Sequence, residues 1–193
     1  MSILKTLVII TAIGFFSGCG DSVSEDRVNA AFLEYNNMDI GYDDLNVVEV
    51  SSPWKLENLH SYSARSKNRP ILVYYSSFGS LEARKFEHYV LSVGEVFKML
   101  DREFTIFEIM MDDKGDYTTI HGVGDTTRRP KSEWWMDYQT ERYNRYEIPL
   151  FDIWDFETAS LVDQPATYTS HLNPEIFLNW LKEGLANFKR MNP

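Results

Sequence analysis

The feature that most constrains the fold is an uninterrupted apolar run, ILVYY, at residues 71–75. A strand with one face in water alternates polar and apolar residues, whereas a continuous apolar run is typical of a strand buried on both faces. Aromatic residues make up 15% of the chain, which is enough to fill a core on either side of such a strand. The run therefore predicts an α/β domain with helices on both faces of a sheet.

The patterns around this run predict alternating helices and strands. Ser92 is suited to cap a second helix, and Asn173 followed by Pro174 is suited to begin the last one. The predicted helices cover residues 54–67, 81–91, 93–100, 133–143 and 174–190. The predicted strands cover residues 45–50, 71–75, 104–110, 150–154 and 160–163. Residues 112–131 show no periodicity and are predicted to form a polar loop. A βαβ half followed by a ββα half predicts a mixed central β-sheet flanked by helices.

The N-terminal residues 1–18 have the pattern of a secretory signal. Lys5 precedes an apolar run at residues 7–16, which is shorter than the ~20 residues of a membrane-spanning helix. The sequence FSGC at residues 16–19 resembles the lipobox of bacterial lipoproteins, in which the cysteine is lipidated and becomes the mature N-terminus. The alternative is an ordinary signal peptide in which Cys19 is incidental.

A lipidated Cys19 implies a location and an order of segments. A tether and N-terminal extension at residues 19–52 would follow the signal, and a domain at residues 53–193 would follow the extension. The lipid would anchor that domain to a membrane of the bacterial cell envelope, facing the periplasm or the exterior. Gly20 stands where an aspartate retains enteric lipoproteins in the inner membrane, which favours the outer membrane.

The charge and the cysteine content exclude two classes of function. The formal net charge is −10, and affinity for nucleic acid depends largely on neutralised phosphates, so nucleic acid is not expected as a partner. Cys19 is the only cysteine in the sequence, so no intrachain disulfide can form and no cysteine pair can cycle in redox chemistry.

Several short motifs occur in the order that is typical of one family. They are RPILV at residues 69–73, RKFE at residues 84–87, a W-x3-Q pair at residues 135 and 139, and IPLF at residues 148–151. In these motifs the chain resembles a thioredoxin domain, and within that fold the C-terminal domain of DsbD-type thiol:disulfide interchange proteins. The resemblance implies the thioredoxin fold, with a cis peptide bond before Pro149.

The same resemblance shows where this chain departs from the family. The two cysteines of the family's C-x-x-C motif fall on Ser80 and Ala83, and its buried carboxylate falls on Tyr74. Thiol–disulfide chemistry needs a thiolate that attacks a disulfide sulfur, and a serine hydroxyl cannot form the mixed disulfide. The departures predict a redox-inactive domain that is not an enzyme, and we expect neither a catalytic residue nor a cofactor.

A binding groove is a further implication of the resemblance. In thioredoxin folds the cis-proline loop faces the active-site turn and pairs its main chain with an extended peptide. The corresponding residues here are Phe78, Gly79, Ser80, Ile148 and Pro149. Such a cleft can persist after the chemistry is lost, so we expect a protein or peptide partner connected with envelope thiol chemistry or protein maturation.

Two other classes of function remain open. One is an enzyme or small-ligand binder with its site in loop 112–134, and the other is a purely structural lipoprotein. In that loop the basic residues Arg128, Arg129 and Lys131 are either solvated or a docking point for an acidic partner. Trp134 and Trp135 are adjacent, so only one of them can face the core of a helix.

Ser80 and the histidines have less specific patterns. A nucleophilic serine needs a base within reach, and His88 lies about two turns further along the helix, so Ser80 is expected to cap it. The free N–H groups at that helix start could still hold a carboxylate or a peptide carbonyl. The four histidines, and the acids at residues 112, 113 and 116, lack the spacings of zinc and EF-hand sites, so no metal is predicted.

Overall fold

A five-stranded sheet forms the centre of the computed structural model, which describes residues 42–50, 68–122 and 125–193, with the backbone alone for residues 117–122 and 125–127. Its strands are β1 Val47–Glu49, β2 Ile71–Ser76, β3 Thr105–Met110, β6 Leu150–Trp154 and β7 Ala166–Thr167. They lie in the order β1-β3-β2-β6-β7. The first three are parallel to one another, whereas β6 is antiparallel to β2 and β7 is antiparallel to β6. The predicted mixed sheet is therefore confirmed.

Strand β2 is buried on both faces, as its continuous apolar run predicts. Leu72 and Tyr74 belong to the core on one face of the sheet. Val73 and Tyr75 belong to the core on the other face, together with Trp135. The alternation of side chains along a strand thus gives each face of the sheet its own hydrophobic layer.

Five helices are described on the two faces of the sheet. They are α1 Leu81–Phe86, which continues as a π-helical turn Glu87–Leu91, then α2 Gly94–Glu103, α3 Lys131–Tyr143, α4 Tyr168–His171 and α5 Pro174–Met191. Helices α1, α2 and α5 contribute to one core and α3 to the other. The start of α5 is as predicted, because the side chain of Asn173 accepts hydrogen bonds from the N–H groups of Glu175 and Ile176.

Two local predictions are wrong. Ser92 does not cap α2, which begins after Val93. Its hydroxyl instead donates to the Glu87 carbonyl and accepts from the Tyr42 N–H. Residues 160–163 do not form a strand, because the Ser160 hydroxyl donates to the Asp152 side chain after a single bridge and the chain then turns. The antiparallel partner of β6 is β7 instead.

The segment at residues 112–131 was predicted to be a loop, and most of it is a hairpin. Strand β4, Asp116–Gly122, pairs with β5, Asp125–Pro130, as a separate two-stranded sheet. Two Thr-Thr pairs, at residues 118–119 and 126–127, flank a glycine-containing turn in the sequence. β-branched residues on both sides of such a turn are a hairpin signal, which the absence of apolar periodicity concealed.

The N-terminal extension contributes to the sheet. Strand β1 is parallel to β3, and a 3-10 turn, Tyr42–Asp44, precedes it, so residues 42–50 pack with the domain. The prediction of a strand near residues 45–50 is confirmed. Cys19, the predicted signal sequence and the predicted helix 54–67 lie outside the described residues. None of the helices in the described ranges is both long enough and apolar enough to cross a membrane.

Candidate functional site

The turn that follows β2, at residues 77–80, is closed by a carboxylate from the end of β3. Asp112 accepts hydrogen bonds from the Ser77 hydroxyl at 2.8 Å and from the main-chain N–H groups of Phe78 and Gly79 at 3.1 and 3.0 Å. Burial raises the pKa of Asp112, but the bonds from Gly79, Ser77 and Phe78 outweigh it, so the pKa is lowered. The N–H groups of Phe78 and Gly79 are therefore not free to hold a carboxylate or a peptide carbonyl.

Ser80 caps helix α1, as predicted. Its main chain is extended, and its hydroxyl accepts a hydrogen bond from the Ala83 N–H at 3.1 Å. Ala83 is fully buried. The Ser80 hydroxyl thus satisfies a donor at the start of the helix, which is an ordinary structural role.

Two large apolar side chains beside this cap face solvent. Phe78 is 75% exposed and Leu81 is 66% exposed, although both belong to the segment that Asp112 and Ser80 hold in place. Single exposed apolar residues are common on protein surfaces, but two of them on one rigid turn form a small apolar surface.

The predicted proline loop lies beside the same turn. The Ile148–Pro149 peptide bond is cis, as the resemblance implied. In the β2–β6 ladder Tyr75 pairs with Leu150, so the next residues of the two strands, Ser76 and Pro149, continue as neighbours. The register therefore places the end of β2, which leads into the turn at residues 77–80, beside the start of β6, which the proline loop precedes.

One helix side chain holds this loop. Gln139 of α3 is fully buried. Its Nε2 donates to the Glu147 carbonyl and its Oε1 accepts from the Glu147 N–H, both at 2.9 Å. The sequence marked Gln139 only as part of a motif, because nothing local indicates a partner eight residues further along.

A polar cluster lies on the face of the sheet that Tyr74 shares with helix α1, opposite to the face that carries α3. The hydroxyl of the fully buried Tyr74 donates to Glu87 Oε1 at 2.7 Å, and Arg84 pairs with the same oxygen at 2.7 Å. Arg84 also donates to the Ser76 hydroxyl at 2.8 Å, which connects the cluster to the turn. Tyr74 on the buried strand thus has its hydroxyl in contact with a carboxylate that follows helix α1.

Burial raises the pKa of two carboxyl groups at this cluster, those of Glu87 and Glu108. Burial raises the pKa of Glu87, and hydrogen bonding from Tyr74 and the charge of Arg84 only partly oppose it. Burial also raises the pKa of Glu108 on β3, against opposing interactions with Ser76 and Tyr42. The negative charges of Glu108 and Asp43 also raise the pKa of Glu87, and that of Glu49 raises the pKa of Glu108. The cluster was not predicted, since its members come from separate elements.

In the hairpin region the basic residues are paired with acids. Arg128 pairs with Asp116, and Lys131 pairs with Asp113. Arg129 pairs with both Glu133 and Asp137. Of the adjacent tryptophans, Trp135 is buried in the core, and Trp134 is partly buried and packs against the same core. The described part of the chain contains no cluster of three or more His, Cys, Asp or Glu side chains that could hold a metal ion.

Comparison with solved structures identifies the fold. A thioredoxin from Thermus thermophilus is similar over 77% of this chain and 95% of its own, with 15% identity and a TM-score of 0.50. The oxidised C-terminal domain of DsbD from Neisseria meningitidis matches over 71% of this chain and 99% of its own (10% identity, TM-score 0.48). A DsbH oxidoreductase matches over 87% and 95% (14% identity, TM-score 0.45).

The chain therefore has the thioredoxin fold, which confirms the predicted fold class. At these identities the structural likeness establishes the fold alone. No protein-family model matches the sequence, and no curated protein matches it significantly.

Proposed function

We propose that this protein is a redox-inactive thioredoxin-fold lipoprotein of the bacterial envelope. It binds an extended protein or peptide segment in the groove between residues 78–80 and residues 148–149. Its role is to assist envelope thiol chemistry or protein maturation that other proteins carry out.

The observation that carries this proposal is a main-chain donor, before β6, that no described residue engages, together with the exposed apolar turn after β2. The N–H group of Ile148 makes no hydrogen bond to another described residue. Phe78 and Leu81 present apolar surface on the adjacent turn. Main-chain donors provide affinity for an extended peptide, and apolar side chains provide contacts for alternate residues of that peptide.

The absence of redox activity is supported by the sequence and by the geometry of the turn. The sequence has no cysteine at residues 80–83. The Ser80 hydroxyl accepts a hydrogen bond from the Ala83 N–H, and residues 80–83 supply no thiolate that could attack a disulfide sulfur. Binding without thiol exchange is therefore the activity that these residues can support.

Peptide selection tests the binding role. Random peptides displayed on phage are selected against the full-length protein in detergent, and synthetic copies of the selected peptides are titrated by calorimetry. Phe78→Asp places a charge on the apolar turn, so we expect binding to weaken about tenfold or more. Met191→Asp, a comparably exposed position at the end of α5, is the matched control and leaves binding unchanged. Equal binding by the two variants would place the peptide elsewhere.

The lipid anchor has its own test. Cys19→Ser removes the only thiol that can be acylated, so we expect the protein to move from the membrane fraction to the soluble fraction. Fractionation of cells that express each form measures this shift. Retention of the serine variant in the membrane fraction contradicts the anchor.

A further inference from the structure

The proline side of the groove depends on one buried amide. Gln139 bonds to both main-chain groups of a single residue, Glu147, in the reciprocal pattern that joins hydrogen-bonded pairs in an antiparallel sheet. Its side chain thus takes the place of a neighbouring strand. Buried amide groups that lose their partners carry a large desolvation penalty, so this pairing is strongly favoured.

The pairing fixes the direction of the Ile148 N–H. The Glu147 carbonyl and the Ile148 N–H belong to the same peptide unit, which is planar and trans, so they point in opposite directions. Gln139 draws the carbonyl towards the core beneath α3. The N–H of Ile148 consequently points away from that core, and no described residue accepts from it.

We propose that Gln139 is the positioning residue of the groove, an inference that rests on the proposed function. By holding the Glu147 carbonyl, Gln139 orients the Ile148 N–H so that it donates to a carbonyl of the bound peptide. The other tie that the structure gives this loop is weaker, since Arg145 contacts Glu147 and Gln164 from a partly exposed position.

Two substitutions test the inference. Gln139→Met keeps the length of the side chain but removes both bonds, so hydrogen exchange across residues 145–148 should accelerate and affinity for the selected peptides should fall about tenfold. Gln139→Glu is nearly isosteric and can satisfy both groups of Glu147 only when it is protonated. The affinity of Gln139→Glu for the selected peptides, relative to that of the native protein, should therefore recover as the pH falls. The relative affinity of Gln139→Met should not.

A matched control separates positioning from general loss of stability. Val96→Ala creates a cavity in α2, in the core on the other face of the sheet, and should leave peptide affinity and exchange at residues 145–148 unchanged. If Gln139→Met binds the selected peptides as tightly as the native protein, the inference is overturned but the proposed function stands. Unchanged hydrogen exchange at residues 145–148 in Gln139→Met has the same consequence. Failure of the native protein to bind any selected peptide overturns both.

Discussion

Two carboxylates border the turn at residues 77–80, and their environments differ. Asp112 is partly exposed and accepts two main-chain N–H groups and one hydroxyl. Glu87 is buried and accepts from the Tyr74 hydroxyl and from Arg84. The pKa of Asp112 is lowered, whereas the pKa of Glu87 is raised by burial.

The difference shows that the donors and the solvent around a carboxyl group decide its charge. Converging N–H groups stabilise the ionised form, while burial favours the neutral form even beside an arginine. Asp112 therefore holds the turn in its charged state. Glu87 supports the same turn indirectly, because it pairs with Arg84, which donates a hydrogen bond to Ser76 at the end of β2. Keeping the buried Glu87 carboxylate charged costs free energy.

The largest effect is expected from Glu87→Ala. The substitution leaves the buried Tyr74 hydroxyl without an acceptor and Arg84 without its partner, so the free energy of unfolding should fall by about 2 kcal/mol. Urea denaturation measures the loss. Glu87→Gln retains an acceptor and is the control. An equal loss in both variants would mean that charge, and not the hydrogen bond, stabilises this site.

A smaller effect is expected from Asp112→Ala. The N–H groups of Phe78 and Gly79 lose their acceptor but can bond to water, so the free energy of unfolding should fall by about 1 kcal/mol. Hydrogen exchange at residues 78–79 should accelerate as well. Asp113→Ala, which removes the neighbouring pair with Lys131, should leave that exchange unchanged. Slow exchange in the Asp112 variant would show that other contacts hold the turn.

The smallest effect is expected in the dependence of stability on pH. The raised pKa of Glu87 means that its contribution is present below the unfolded pKa and is lost as the pH rises through the folded pKa. The lowered pKa of Asp112 means that its contribution is present above the unfolded pKa and is lost as the pH falls.

Conservative variants distinguish the contributions of Asp112 and Glu87 to the pH dependence of stability. Unfolding free energies of native protein, Glu87→Gln and Asp112→Asn are measured from acid to neutral pH. As the pH falls, the advantage of native protein over Asp112→Asn should shrink, and its advantage over Glu87→Gln should change in the opposite direction. Parallel changes for both variants would contradict the contrast.

Much of the fold could be predicted from neighbouring residues. The uninterrupted run of β2 indicated burial on both faces, and Asn173 followed by Pro174 marked the start of α5. Ser80 was predicted to cap α1, and it does. The hairpin β4–β5 was missed because its threonine pairs carry no apolar alternation.

The geometry of the candidate site could be predicted only in part. The resemblance implied a cis peptide bond before Pro149 and a turn after β2, and the structure has both. The resemblance gave no indication that Asp112 would accept hydrogen bonds from the N–H groups of the turn. Glu87 and Gln139 likewise have partners on other elements or across a loop, and no periodicity or capping signal encodes such partners.

The sequence by itself determined the buried strand β2 and the capped starts of α1 and α5, since periodicity and capping depend on residues within a few positions of one another. Only the tertiary structure decided what closes the turn and what orients the Ile148 N–H. Asp112 is 33 residues from Gly79, and the parallel pairing of β2 with β3 brings them within hydrogen-bond distance. Contacts of this kind depend on strand register and helix placement, which are properties of the whole packed domain.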